Sequence, residues 1–411
     1  GDWRGVLHGL PQAPKDLAET TDLPTTLGFR PLATFRPAHD AIIVERARKA
    51  GAILIGKTNT PEFGLGSHSY NRLFGVTGNA YDPARTAGGS SGGAAVALAL
   101  DMLPGADGSD MMGSLRNPAG WNNVFGLRPS FGRVPYGPMK ELFYAQLGTE
   151  GPMGRSVAEL ALLLSVQSGY DARVPLSLSE PGESFAAPLD RDFKGCRIGW
   201  MGDFDGYLAT DPGVLDLCGG ALKTFETLGC TVEPARPAFD LDLLWRTWIT
   251  LRAFLVAGTL RPFYDTPAHR ADMKPEAIWE VEQGLALRAD QVYAATQARS
   301  AWHRALHALF ERYDFLVLPS AQVFPFDKAL AWPKTVGGRA MDTYHRWMEV
   351  VIGPTLAGVP ALCVPAGFNA AGLPLGLQII GPARSDFAVL QIGHAYEAAS
   401  GHRNRRPALA S

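Results

Sequence analysis

The chain has 411 residues, 46% hydrophobic and 19% charged, which is enough apolar material for one large buried core. Its formal net charge of −2 argues against nucleic acid or an anionic membrane surface as the main partner. No run reaches the roughly 18 consecutive apolar residues that a membrane span needs, so the expectation is a globular protein that works in the cytoplasm.

In chain order, Asp40 to Ala50 reads as a helix closed by Gly51, and Ala52-Ile53-Leu54-Ile55 as a short buried strand. Ala94 to Leu100 is too short to span a membrane and reads as a buried helix. Ser156-Val157-Ala158-Glu159 is a capping box that opens a further helix. A strand–helix–strand unit follows: a strand at Arg197 to Met201, a helix from Asp211-Pro212 to Gly229, and a strand at Thr231 to Glu233. Asp211 is expected as its N-cap and Pro212 at its first position. That unit predicts parallel pairing under helical cover.

Residues 241–312 are helical in pattern and carry Trp245, Trp248, Phe254, Phe263, Tyr264, Trp279, Tyr293 and Trp302. Such rings bury large areas and serve equally as core or as the wall of a substrate pocket. Strands return at Phe315 to Pro319, Ala361 to Pro365 and Leu375 to Ile380, and a last helix runs from near Ser385 to Gly401. Nothing reads as a linker or a repeat, so residues 1–411 are expected to form one α/β domain. Cys196, Cys218, Cys230 and Cys363 show no Cys-x-x-Cys spacing and read as small core residues of a reducing compartment.

The chemistry concentrates between Thr86 and Arg116. Gly88-Gly89-Ser90-Ser91-Gly92-Gly93 precedes the apolar helix, and Asp110-Met111-Met112-Gly113-Ser114-Leu115-Arg116 follows it. Glycines that permit positive φ or close approach let a serine stand clear of its own chain with N–H groups turned toward it. That is the layout of a nucleophile beside an anion-stabilising nest.

Three other patterns fail on physical grounds. Gly51-Ala52-Ile53-Leu54-Ile55-Gly56-Lys57-Thr58 has phosphate-loop spacing, but the four residues between its glycines want to be the strand itself. Gly88-Gly89-Ser90-Ser91-Gly92 has the spacing of a nucleophile elbow, with His394 available for a conventional triad. The approach through Asp82-Pro83-Ala84-Arg85 cannot be a central strand. His303 and His307 lie one helical turn apart, but a metal needs further ligands.

Taken together, the two serine turns resemble the amidase signature family of serine hydrolases, and Gly9-Leu10-Pro11-Gln12-Ala13-Pro14-Lys15-Asp16 is similar to its lysine motif. The resemblance runs from Gly9 to about Glu397. It implies a central mixed twisted sheet covered by helices on both faces, and cleavage of an amide bond through an acyl-enzyme. Ser114 would be the nucleophile, Ser90 the bridging serine after a cis peptide bond, and Lys15 the neutral base.

It further implies an oxyanion nest from the backbone N–H groups of Met111, Met112, Gly113 and Ser114, and backbone contact with substrate at Gly64, Leu65 and Gly66. Met112 departs from the family pattern, which commonly has glycine there. That departure is tolerable unless the position needs positive φ. Lys57 falls in a block where the family's lysine is structural, Asp110 and Arg116 read as a stiffening pair, and Gln378 reads as structural. The family resemblance implies no cofactor and no metal. It suggests a small-molecule amide, carbamate or ester as substrate, leaves a homodimer open, and implies that sequence before Lys15 has been trimmed. Two alternatives remain, a non-catalytic binding module and a tRNA-dependent amidotransferase subunit.

Overall fold

The computed structural model describes residues 2–408. The lysine motif and the Gly51–Thr58 block meet first: β1 (Pro11–Gln12) pairs in parallel with β2 (Ile53–Leu54), and the contact extends to a bridge between Lys15 and Thr58. The residues between the glycines are thus strand, as their β-branched character predicted. The expectation of burial there was wrong, since Ile53 and Ile55 are 56% and 59% exposed. A strand with one neighbour at the edge of a two-stranded sheet covers only one face. The helix before it, α1, spans Ile42–Lys49, and Gly51 follows at φ +93°. A hairpin of β3 (Tyr70–Asn71) and β4 (Gly75–Val76) leads to α2 (Gly92–Ala99), which is nearly all buried.

The main sheet has eight strands. They are β5 (Ala106–Asp110), β6 (Phe125–Arg128), β7 (Thr149–Gly154), β8 (Arg197–Trp200), β9 (Thr231–Pro234), β10 (Phe315–Pro319) and, after the β11–β12 hairpin (Thr335–Val336, Arg339–Ala340), β13 (Ala361–Phe368) and β14 (Pro374–Ile380). Their order is β5-β7-β6-β13-β14-β10-β8-β9. The β10–β8 and β8–β9 pairs are parallel and the others antiparallel, so the predicted parallel unit is present.

Side chains alternate across a strand, and β13 shows helical cover on both faces by that rule. Leu362 meets Gly393 of the last helix (Asp386–Ser400). Its neighbour Cys363 lies beside Gly376, which packs on Gly120 of the short Arg116–Trp121 helix. The cover on both faces expected from the resemblance is there.

Two local expectations fared differently. Ser156 caps the Val157–Gln167 helix by accepting from the Glu159 N–H at 3.2 Å. The next helix begins at Val214, later than predicted, with Gly213 at its N-cap at φ +86°. Asp211 is not the cap, because its carboxylate faces the backbone N–H groups of Gly337 and Phe324 instead.

Residues 241–312 form four helices, Leu241–Tyr264, Pro267–Asp272, Pro275–Leu285 and Ala289–Phe310. Trp245, Trp248 and Trp302 enter the main core, whereas Tyr293 is exposed. The first and third helices also build a smaller core of Val256, Leu260, Ala277 and Val281 with Phe29 and Leu65. Through Leu65, that cluster reaches the turn beside Ser90.

Candidate active site

The site is assembled from three segments distant in sequence. The peptide bond between Gly89 and Ser90 is cis, as the resemblance implied. Glycine is required at the flanking positions: a Cβ on Gly88 would fall 2.9 Å from the Trp121 ring, and one on Gly92 would fall 2.4 Å from Ser69 Oγ. Backbone and side chains hold the turn, for Ser67 Oγ donates to the Gly89 carbonyl at 2.6 Å.

Lys15 arrives from the end of β1 and is 1% exposed. Its Nζ donates to Ser90 Oγ at 2.7 Å, to Ser91 Oγ at 3.0 Å, to Ser109 Oγ at 3.1 Å and to the Ser109 carbonyl at 3.4 Å. Among the described residues every oxygen it bonds is therefore uncharged. Burial lowers its pKa to about 7, against the opposing pull chiefly of Asp110 and then Asp107. A lysine in that range is partly neutral near physiological pH and can accept a proton.

Ser114 belongs to the same group of turns, because the Ser91 N–H donates to the Ser114 carbonyl at 3.2 Å. It is 7% exposed, and its hydroxyl makes no hydrogen bond among the described residues. The expected relay is thus half closed: Lys15 meets Ser90, while the link from Ser90 to Ser114 is not formed in this state.

The loop before Ser114 is held by Asp110, whose carboxylate accepts from Arg116 Nε and Nη2, both at 2.9 Å. It also accepts from the N–H groups of Gly113 (2.9 Å) and Leu115 (3.1 Å). Burial pushes this carboxyl up, but the guanidiniums of Arg116 and Arg128 outweigh it and hold the pKa well below the usual carboxylate range. Arg116 continues to Gln378 Oε1 (2.5 Å), the Val351 carbonyl (3.0 Å) and Thr355 Oγ1 (3.1 Å), so Gln378 anchors the loop to β14. The structural readings of Asp110, Arg116 and Gln378 agree with this arrangement.

One expectation about backbone donors needs correction. The Gly113 N–H is taken by Asp110, so it cannot serve an oxyanion; those of Met111, Met112 and Ser114 have no acceptor among the described residues. Positive φ falls on Gly113 (+80°) and not on Met112, which explains why a side chain is accepted there. At the second loop, the Gly64 and Leu65 N–H groups bond to Pro61 and Glu62 carbonyls. The Leu65 carbonyl holds Lys274 Nζ at 2.6 Å. A Cβ on Gly64 would lie 3.6 Å from Ser90 Oγ, so this loop does border the bridging serine.

Sequence reasoning missed several neighbours. Ser91, Ser109 and Asp107 all contact Lys15, the last by accepting the Lys15 backbone N–H at 3.1 Å. From the helical segment Arg252 reaches Met111 Sδ at 3.4 Å and the Tyr344 hydroxyl at 2.8 Å. The aromatic count drew attention to the right segment, but the side chains that touch the site are its buried cations. For the rejected patterns, His303 Nδ1 lies 3.2 Å from the Ala357 carbonyl, and the described residues hold no group of three or more His, Cys, Asp or Glu placed to ligate a metal. No described helix is long and apolar enough to cross a membrane.

A family model described as Amidase matches residues 1–390. The chain belongs to the amidase signature family. Among its relatives, an acylamidase from Rhodococcus erythropolis is 34% identical over 99% of this chain and 85% of its own length. A glutamyl-tRNA(Gln) amidotransferase subunit from Chloroflexus aurantiacus is also 34% identical, over 98% of this chain and 85% of its own. The crystal structure of a bacterial aryl acylamidase of the amidase signature enzymes superposes with a TM-score of 0.90 at 29% identity, covering 97% of this chain and 85% of the other. A 6-aminohexanoate cyclic dimer hydrolase complexed with substrate gives 0.87 at 25% identity, covering 99% and 88%. This amidase is accordingly a hydrolase that acts on amides.

Proposed function

We propose that this amidase hydrolyses a small carboxylic amide through an acyl-enzyme on Ser114, with Ser90 as proton relay and Lys15 as base. The observation that supports this most is the fully buried amine 2.7 Å from Ser90 Oγ, with uncharged oxygens for partners. Ser114 Oγ attacks the carbonyl carbon while its proton moves to Ser90 and the Ser90 proton moves to Lys15 Nζ. The oxyanion is received by the N–H groups of Met111, Met112 and Ser114. As the tetrahedral intermediate collapses, the proton returns by the same path to the leaving nitrogen. Water then repeats the attack on the acyl-enzyme.

The open link between Ser90 and Ser114 is compatible with this route, since catalytic hydrogen bonds often tighten only when substrate is bound. Esters and carbamates pass through the same acyl-enzyme and are cleaved by the same groups. The test is a panel of anilides, aliphatic amides, carbamates and esters given to wild type and Ser114→Ala. Turnover should be lost in the variant for every substrate; retained turnover would refute the assignment.

A second reading, as part of a tRNA-dependent amidotransferase, is favoured by the equal 34% identity to one such protein. Turnover of free amides by the isolated chain would decide against it.

A further inference from the structure

The reading above uses Lys15 but not the two buried carboxyls beside it. Asp107 and Ser109 are two residues apart on β5, so their side chains share a face, and Glu150 of β7 stands directly opposite Ser109 in the antiparallel ladder. One face of this strand pair therefore presents Asp107, Ser109 and Glu150, and Lys15 lies against it. Asp107 accepts the Lys15 backbone N–H at 3.1 Å, and Ser109 Oγ accepts from Lys15 Nζ at 3.1 Å. Asp107 and Glu150 are both buried, and Glu150 Oε2 has no hydrogen-bond partner among the described residues.

Two carboxylates on one dry face repel each other, and an ionised group without a partner is expensive to bury. We propose that Asp107 and Glu150 form a buried acid pair that holds one proton between them, Asp107 as the charge and Glu150 as the neutral acid, and that this pair sets the base strength of Lys15. Both act as positioning residues, since they meet the substrate only through Lys15. The proposal deepens the reading of Lys15 as base and rests on it.

The electrostatics agree in direction. Burial raises Asp107, with the Lys15 N–H and Lys57 opposing, whereas burial and then Asp107 raise Glu150 well above the ordinary glutamate value. Asp107 therefore ionises first and Glu150 keeps the proton. The other charged groups around Lys15 are accounted for. Asp110 stays ionised in its pairs with Arg116 and Arg128 and acts on Lys15 equally in wild type and both variants, and Lys57 pulls on Asp16 as well as Asp107. Tyr136, which burial raises, stays neutral. Asp110 first and Asp107 after it favour the ammonium, so the lysine does not fall as far as burial alone would drive it.

The test is the pH dependence of Ser114 labelling by a fluorophosphonate, in wild type, D107N and E150Q. Removing the Asp107 charge should move the acid-side midpoint roughly one pH unit lower, as expected for a lost charge at this range. Replacing a neutral Glu150 should leave the midpoint in place. An unmoved midpoint in D107N, or an E150Q shift as large as that expected of D107N, would overturn the pair.

An infrared measurement stands apart from catalysis and from the folding of D107N. At neutral pH the wild type should show the carbonyl stretch of a protonated carboxyl that E150Q lacks, and its absence from wild type would also overturn the proposal. If Ser114 is not labelled at all, it is the proposed function that falls, and the infrared band alone then decides the acid pair.

Discussion

Lys15 and Lys57 sit at matching ends of the small parallel sheet, one just after β1 and the other just after β2, yet their surroundings assign them different work. Lys15 is sealed among the hydroxyls of Ser90, Ser91 and Ser109. Lys57 is partly open, and its Nζ donates to the Ala18 carbonyl and to Thr20 Oγ1 and Thr25 Oγ1, each at 3.2 Å for the two threonines. Burial lowers both, but Asp16 is the first charge opposing that in Lys57. One amine points at the Ser90–Ser91 turn and the other stitches a loop together. Burial alone does not make a lysine a base; what its nitrogen touches decides.

The comparison breaks most visibly in activity. Lys15→Ala should reduce kcat/KM by at least about 1,000-fold, the scale of a lost general base, while Lys57→Ala should stay within roughly tenfold provided the protein remains folded. Steady-state kinetics on one amide substrate checks both, and the reverse order would exchange the two roles.

Stability should run the other way. Lys57→Ala strands three partly buried acceptors and should lower stability by about 1–3 kcal/mol in urea titrations. Lys15→Met removes a buried amine whose folded pKa of about 7 lies below its unfolded value. Between these values the unfolded chain binds more protons, so the wild type gains stability as pH rises through that window. The variant's advantage should be greatest below pH 7 and should shrink toward the unfolded pKa.

A smaller effect sharpens the comparison further. The acid limb of kcat/KM in wild type should have a midpoint near 7, the value to which burial lowers Lys15. A limb that stays flat from pH 5 to pH 9, or about two units either side of neutral, would say that Lys15 does not titrate in the free enzyme. Smallest of all, Lys274→Met releases the Leu65 carbonyl from the helical segment. It should raise KM several-fold and leave kcat nearly unchanged, since it loosens the turn beside Ser90 without touching Ser114.

Much of this was legible before any coordinates. Ser90, Ser114 and Lys15 stood out because their motifs resemble those of the amidase signature family, and the strands at 315–319, 361–365 and 375–380 are β-rich runs bounded by breakers. What escaped depended on tertiary partners. Asp211 has the chemistry of an N-cap, but the backbone of Gly337 and Phe324 claims it from elsewhere in the fold. The Gly113 N–H was counted as a free donor because nothing local says that Asp110 folds back onto it. Asp107 and Glu150 come together only through the β5–β7 register, which pairs residues some forty apart. Arg252 and Lys274 were hidden by the tryptophans around them, since periodicity reports which face is buried but not which buried cation reaches a loop.

Activation of Ser114 by Lys15 through Ser90 is tested by the rate and position of fluorophosphonate labelling, read by mass spectrometry in wild type, Lys15→Ala, Ser90→Ala and Lys57→Ala. One adduct is expected, on Ser114, formed at comparable rates in wild type and Lys57→Ala and at least about 100-fold more slowly in the other two. An adduct on a different residue, or a Lys15→Ala protein that labels as fast as wild type, would contradict it.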